Sequence, residues 1–212
     1  MNRIIAQKEL FLILILIIFH AVGLIGMNIS SYRADVLSLS SMNLYISFFA
    51  VILARNHHFS KFILFVLLSF CLGMIYEIIG VKTGYLFGDY YYGANLGSKF
   101  MGVPFVIGCN WAILSISSGN LIHKLKTSIY LKTLLASLLM VLLDFMIEPI
   151  AMELDYWQWK NGEIPVYNYI CWFVLSLPLS FLYFKLKLSE QNKLTNGLYL
   201  ILVVFFGILL II

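Results

Sequence analysis

The sequence predicts an all-α, polytopic integral membrane helix bundle of about seven transmembrane helices, with its N-terminus inside. Three observations carry that reading. Of the 212 residues, 62% are hydrophobic and 11% charged, where a soluble domain runs near half and a quarter. The apolar residues fall in long continuous blocks, with none of the short alternating strands of a membrane β-barrel. The positive residues flank those blocks. Lipid offers backbone groups no partners, so only helices or closed barrels cross it.

The blocks fall at 10–27, 36–54, 61–79, 101–122, 128–148, 166–186 and 196–212. Arg3 and Lys8 precede the first, "LFLILILIIFHAVGLIGM". Its charged and apolar parts look like a signal peptide, but no small-x-small cleavage site follows cleanly and the run is about long enough to span. It reads as a retained first helix, with the lone His20 as a packing residue. The third block carries Glu77 within "CLGMIYEIIG". The fourth has Pro104 near its start, where a missing N–H is tolerated, and Asn110 and Trp111 about midway. An Asn at that depth calls for a partner, most simply a helix–helix hydrogen bond. The fifth ends at Pro149 and carries Asp144 and Glu148. The connections are short except 80–100 and 149–165. With no Ser/Gly linker and no soluble segment, residues 1–212 read as one domain.

Arg3, Lys8, Arg55, Lys61, Lys124, Lys126, Lys132, Lys185, Lys187 and Lys193 fall on one side, and Arg33, Lys82, Lys99 and Lys160 on the other. The positive-inside rule then sets the N-terminus inside. Glu77, Asp144, Glu148 and both long connections gather at the outer end. The formal charge of +4 has no dense basic cluster, so no nucleic-acid partner is expected. Cys71, Cys109 and Cys171 lie in apolar segments and read as small buried residues. His57 and His58 read as solvated residues of an inner loop. No ligand spacing appears, so neither a metal nor a cofactor is expected.

Asp144 and Glu148, four residues apart, share a helix face. A carboxylate in the membrane costs several kcal/mol and faces a bundle interior or a wet cavity. Two together favour one protonated and one ionised, which is the arrangement acid–base catalysis needs. Blander readings stand beside this one: Glu148 beside Pro149 ends its helix in water, and Glu77 pairs with Lys82 near the interface. In "GVKTGYLFGDYYYGANLGSKF" the glycines recur about every fourth residue, but polar and aromatic residues between them argue against a helix-dimer face. A loop packed against the bundle fits better. Tyr90, Tyr91 and Tyr92 form either an interfacial aromatic belt or the wall of an apolar ligand site.

Taken together, "YEIIGVKTGYLFGDYYYGANLG", "GVPFVIGCNW", "LLDFMIEPIAMELDYWQW" and "IPVYNYICWF" resemble the carotenoid biosynthesis membrane proteins, among them the CruF-type carotenoid 1',2'-hydratases and the bisanhydrobacterioruberin hydratases. The resemblance runs over about 70–173. Matching positions include Glu77, Gly80, Thr83, Gly84, Phe87, Gly88, Tyr90, Tyr92, Gly97 and Pro104. Further along they include Trp111, Asp144, Glu148, Pro149, Tyr156, Trp157, Trp159, Asn168 and Trp172. Cys171 stands where the pattern has a glycine. The resemblance implies a cofactor-independent hydro-lyase that adds water across the terminal double bond of an acyclic carotenoid. It also implies a lipophilic carotenoid substrate, membrane lipid and other carotenoid-pathway enzymes as partners, and a place in the bacterial inner membrane. Asp144 is then the general acid, with Glu148 or Glu77 orienting water, though the roles can be exchanged. Tyr90, Tyr92, Trp111 and Trp157 line the end-group pocket, with Tyr156, Trp159 and Asn110 also assigned to substrate. Alternatives are a double-bond isomerase using the same protonation, a transporter, or a carotenoid-binding scaffold. A transporter predicts inverted repeats, and no convincing repeat is present.

Overall fold

At the centre of the bundle stands α5 (Phe105–Ile122), with 14 of its 18 residues buried. A helix apolar all round belongs inside, and small residues let its neighbours close on it. Gly108 lies under Phe70 and Met74, and Gly119 under Tyr183. Around α5 pack α3 (Ser40–Leu53), α4 (Phe59–Thr83), α6 (Ile129–Glu153), α7 (Val166–Lys185) and α8 (Lys193–Leu209), while α1 (Asn2–Met27) runs against α8. A short α2 (Arg33–Ser38) completes the set. The computed structural model describes residues 2–212, with side chains from Ile4 onward; the Arg3 side chain counted among the inner cations lies outside the described residues.

Five helices, α1, α4, α5, α6 and α7, are long and apolar enough to cross a membrane. α3 and α8 are apolar but shorter, at 14 and 17 residues. The expected block at 36–54 is not one helix: it breaks at Leu39 (φ −91°, ψ 0°) between α2 and α3. The serines around the break explain it. Ser38 Oγ turns back to the Asp35 carbonyl at 2.6 Å, and such local bonds compete with the helical ladder. The block expected to end at 148 continues to Glu153. Pro149 lies on the exposed face, where the missing N–H forfeits only the bond to Phe145 and the helix carries on. The fourth helix starts at Phe105, so Asn110 sits in its second turn and not midway.

The two long connections are not irregular. β1 (Tyr90–Tyr92) and β4 (Trp157–Trp159) pair antiparallel, Tyr90 opposite Trp159 and Tyr92 opposite Trp157. A second short ladder joins β2 (Lys99–Phe100) to β3 (Val103–Pro104). The β1–β4 ladder closes one end of the bundle. Gly93 lies at its margin, where a Cβ would fall 2.0 Å from the Asp155 carbonyl oxygen, so only glycine allows the two connections to meet.

Candidate functional site

Under the β1–β4 ladder lie the three carboxylates. Side chains alternate across a strand, so Tyr90 and Tyr92 point inward while Tyr91 is 53% exposed. From the other strand Trp157 and Trp159 point in beside them. The inner face therefore presents four hydrogen-bond donors. Tyr90 and Tyr92 hydroxyls donate to Glu77 Oε2 at 2.5 and 2.7 Å. Trp157 and Trp159 indole nitrogens both donate to Glu148 Oε2 at 2.9 Å. Two loops that are remote in sequence thus hold the acids of two different helices. Gly80, one turn past Glu77, makes this possible: a Cβ there would sit 2.7 Å from the Tyr90 hydroxyl.

Glu77, Glu148 and Asp144 are each 2–3% exposed, which overturns both blander readings. Glu148 is not at a wet helix end, and Glu77 bonds Tyr90, Tyr92 and Trp111, not Lys82. The donors are shared unequally. Glu77 has three side-chain donors, the third being Trp111 Nε1 at 3.0 Å. Glu148 also has three, the third being Asn168 Nδ2 at 2.8 Å. Asp144 has one, the same Asn168 nitrogen, at 3.1 Å from Oδ2. Burial and the neighbouring Glu77 push the Tyr90 and Tyr92 phenols well above the ordinary tyrosine range, so both stay protonated and remain donors.

These acids line a cavity of about 20 Å³ with Phe87, Tyr90, Tyr92, Trp157, Trp159 and Trp172 among its walls. That is room for about one water. Trp111 does not line it: fully buried, it stands behind Glu77, stacked on Trp172 with ring centres 4.0 Å apart and planes at 1°. Tyr156 is also absent from this wall; its hydroxyl bonds Ser40 Oγ at 2.7 Å. It faces a second, larger cavity of about 180 Å³, apolar and bounded by α1, α3, α5, α6 and α8. Asn110, Ile107, Ile147 and Trp157 line both. The Asn110 amide makes no protein hydrogen bond among the described residues, contrary to the expected helix–helix pair, because it faces these cavities.

Asn168 is the residue that reasoning from composition and spacing misses. It bridges Asp144 and Glu148 from the first turn of α7, and Trp172 follows one turn later on the same face. Both stand in the motif "IPVYNYICWF", the available signal. Cys171 also has a job: Phe87 N–H donates to its Sγ at 3.4 Å. Cys109 and Cys171 are buried as expected, but Cys71 is exposed on α4, because its helix face points away from the bundle. No group of three His, Cys, Asp or Glu side chains among the described residues is arranged to hold a metal ion.

No solved structure matches the chain. A bisanhydrobacterioruberin hydratase of Haloarcula japonica is 29% identical over 106 residues, covering 45% of this chain and 36% of that protein; the match thus spans about a third of the relative's length. The model of the family described as "Carotenoid biosynthesis protein" matches residues 36–212, well beyond the stretch that carries the motifs, and the chain belongs to that family.

Proposed function

We propose that the chain is a carotenoid hydratase, adding water across the terminal 1',2' double bond of an acyclic carotenoid end group. The observation that carries this reading is the unequal sharing of donors. Three carboxyls share one small pocket with no cation in its wall among the described residues, so not all of them can be ionised together. Glu77 and Glu148, with three donors each, hold the negative charge. Asp144, with one donor and a free Oδ1, holds the proton.

The step follows. The Asp144 proton goes to C2', the π electrons form the new C–H bond, and a tertiary cation is left at C1'. Protonation in this sense is favoured because the charge falls on the more substituted carbon. The pocket's aromatic faces stabilise it. Water held by Glu148 attacks C1' and gives its proton to that carboxylate. Return of the proton to Asp144 through the pocket completes the cycle, and the product is a tertiary alcohol. Glu77 and its Tyr90–Tyr92 clamp keep the balancing negative charge fixed across the cavity. Asn168 is a positioning residue: bonded to both Asp144 and Glu148, it holds acid and base in register.

Seven crossings with the N-terminus inside place the pocket at the outer end of the bundle. They leave α3 and α8 as short spans in the bacterial inner membrane. Membrane lipid delivers the carotenoid substrate, and other enzymes of the pathway supply it.

Expression in a lycopene-producing bacterial host, with pigments separated by chromatography and weighed by mass spectrometry, tests the reading. A product heavier by one water is expected. A new pigment of unchanged mass would instead mean that the same protonation moves a double bond, and unchanged pigment across acyclic and monocyclic carotenes would overturn the hydration altogether.

A further inference from the structure

The acid pocket has room for a water but not for a hydrocarbon end. If it is where hydration occurs, the alkene must arrive from elsewhere. The second cavity adjoins it, sharing Asn110, Ile107, Ile147 and Trp157 as a common wall. An apolar cavity of about 150 Å³ stays dry and takes a guest the size of benzene. At about 180 Å³, this cavity suits the terminal isoprenoid unit or two and not a whole polyene.

The remainder of such a chain needs a way out into lipid. Four wall residues are exposed: Phe19 and Val22 on α1, Leu39 and Met42 at the α2–α3 break. The mouth therefore opens sideways between α1 and the point where the second hydrophobic block splits. The break at Leu39 has a use in this arrangement. Leu39 at the break and Met42 just beyond it are both exposed and both line the cavity. Ser40, the first residue beyond the break, ties to Tyr156 and so to the segment leading into β4.

We propose that this cavity is the binding chamber for the isoprenoid end of the substrate. It admits the chain laterally from the bilayer between α1 and the α2–α3 break and presents its terminal alkene to the acid pocket past Asn110 and Trp157. Much of the chamber's lipid-side wall comes from α1, which lies outside the family match at 36–212. The inner wall includes Gly23, whose missing side chain leaves the space open. Asn43 Oδ1 is buried with no hydrogen-bond partner among the described residues, and Asn43 belongs to the same wall. It is an acceptor for the hydroxyl that the end group carries on its way out.

The proposal rests on reading the acid pocket as the hydration site, and the test separates the two. Asp144→Asn protein purified from lycopene-producing cells should retain lycopene without converting it. A Cβ at Gly23 would meet only Phe205 Cε2, at 3.8 Å, so the backbone accepts a side chain and the rest of a leucine must enter the chamber. Gly23→Leu in the Asp144→Asn background should lower retained lycopene about tenfold or more, and alone should raise KM about tenfold with kcat nearly unchanged. Val22 is 59% exposed, so Val22→Trp narrows the mouth without disturbing the packed interior, and should act in the same direction. Gly197→Leu, beside Ile13 on the α1–α8 contact and outside the chamber, controls for disturbed helix packing and should leave both quantities near wild type.

Lycopene retention and KM unchanged in both Gly23→Leu and Val22→Trp would overturn the proposal. So would recovery of bound phospholipid in place of lycopene from the Asp144→Asn protein. If hydration fails as a reading but the chamber is real, the unmodified protein retains lycopene, loses it on Gly23→Leu, and yields no heavier product.

Discussion

Two polar clusters are buried at opposite ends of this bundle, and they are built on different principles. At the acid end, the side-chain donors to the three carboxylates are all neutral among the described residues: phenols, indoles and one amide. At the other end, Glu9, Arg55, Asn120 and Asn192 are buried, and there a cation, Arg55, stands beside a carboxylate. Arg55 Nε lies 3.6 Å from Glu190 Oε2, its Nη1 donates to the Leu188 carbonyl at 2.5 Å, and its guanidinium rests 4.6 Å over Phe62. Glu9 accepts the Lys193 backbone N–H at 3.0 Å. The Arg55 cluster clamps connections together. The acid cluster crowds three carboxyls around one small cavity, and like charges so placed favour keeping a proton among them. Burial does not separate the two ends, since Glu9 is buried with no cation in ion-pair reach among the described residues; the crowding of three carboxyls on one cavity does.

The sharpest way to break this contrast is at Asp144. Asp144→Asn keeps the shape and the bond to Asn168 but removes the transferable proton. Turnover should fall by roughly 10³-fold, the scale of general-acid catalysis, while thermal stability holds or rises because a buried acid is gone. Equal losses of turnover and stability would make Asp144 a structural residue and erase the difference between the two ends. Glu148→Gln should also abolish most turnover, and a variant with unchanged rate would shift the base to Glu77.

Arg55 is the mirror experiment. Arg55→Met leaves Glu190, whose side chain is 10% exposed, without its partner. Removing one member of a buried pair costs about 3–5 kcal/mol. The melting temperature should drop sharply while turnover per folded molecule stays the same. A variant that melts normally but loses activity would mean that the far end takes part in the chemistry.

Tyr90→Phe probes the acid end more gently. It removes one donor from Glu77 and leaves Tyr92 and Trp111 in place. A hydrogen bond to a charged group is worth about 1.5–3 kcal/mol. A loss of roughly tenfold in kcat is expected, with little change in KM and no change in which product forms. Tyr91→Phe, on the outer face of the same strand, should do nothing measurable, and the pair together reads out the alternation of the ladder.

How much of this was legible beforehand follows from which interactions are local. Helix positions are local, and the observed helices follow the hydrophobic blocks, apart from the earlier start of α1, the split at Leu39, the later start of α5 at Phe105 and the run past Pro149. The gathering of Glu77, Asp144 and Glu148 at one end follows from counting crossings. The β1–β4 ladder was not legible, because nothing within "DYYYG" or "DYWQWKNG" says that one will pair with the other. It takes the folded bundle to bring 80–100 beside 149–165. The placement of Trp111 behind Glu77, and of Tyr156 in the larger chamber, depends on the same non-local register. Arg55 misled in the opposite way: counted as a loop cation for orientation, it is 6% exposed, because a neighbouring connection supplies Glu190.

The smallest effect belongs to the caps, and it sharpens the comparison once more. α8 starts at the Arg55 end, where Asn192 Oδ1 accepts the N–H groups of Leu194 and Thr195 at 2.9 and 3.2 Å. Its Nδ2 donates to the Ala54 carbonyl at 2.9 Å, so one amide both caps a helix and ties two connections. α5 and α7 start at the acid end behind Pro104 and Pro165, with no side-chain cap. Asn192→Ala should therefore cost ~1 kcal/mol of stability, the usual worth of an N-cap, or somewhat more for the lost tie, with no change in turnover. Asn168→Ala, an asparagine of similar burial in the first turn of α7, should do the reverse. It sits past the cap position and bonds only the two acids, so its loss should cost turnover far more than stability, with near-normal turnover after Asn168→Ala counting against Asp144 and Glu148 as a working pair.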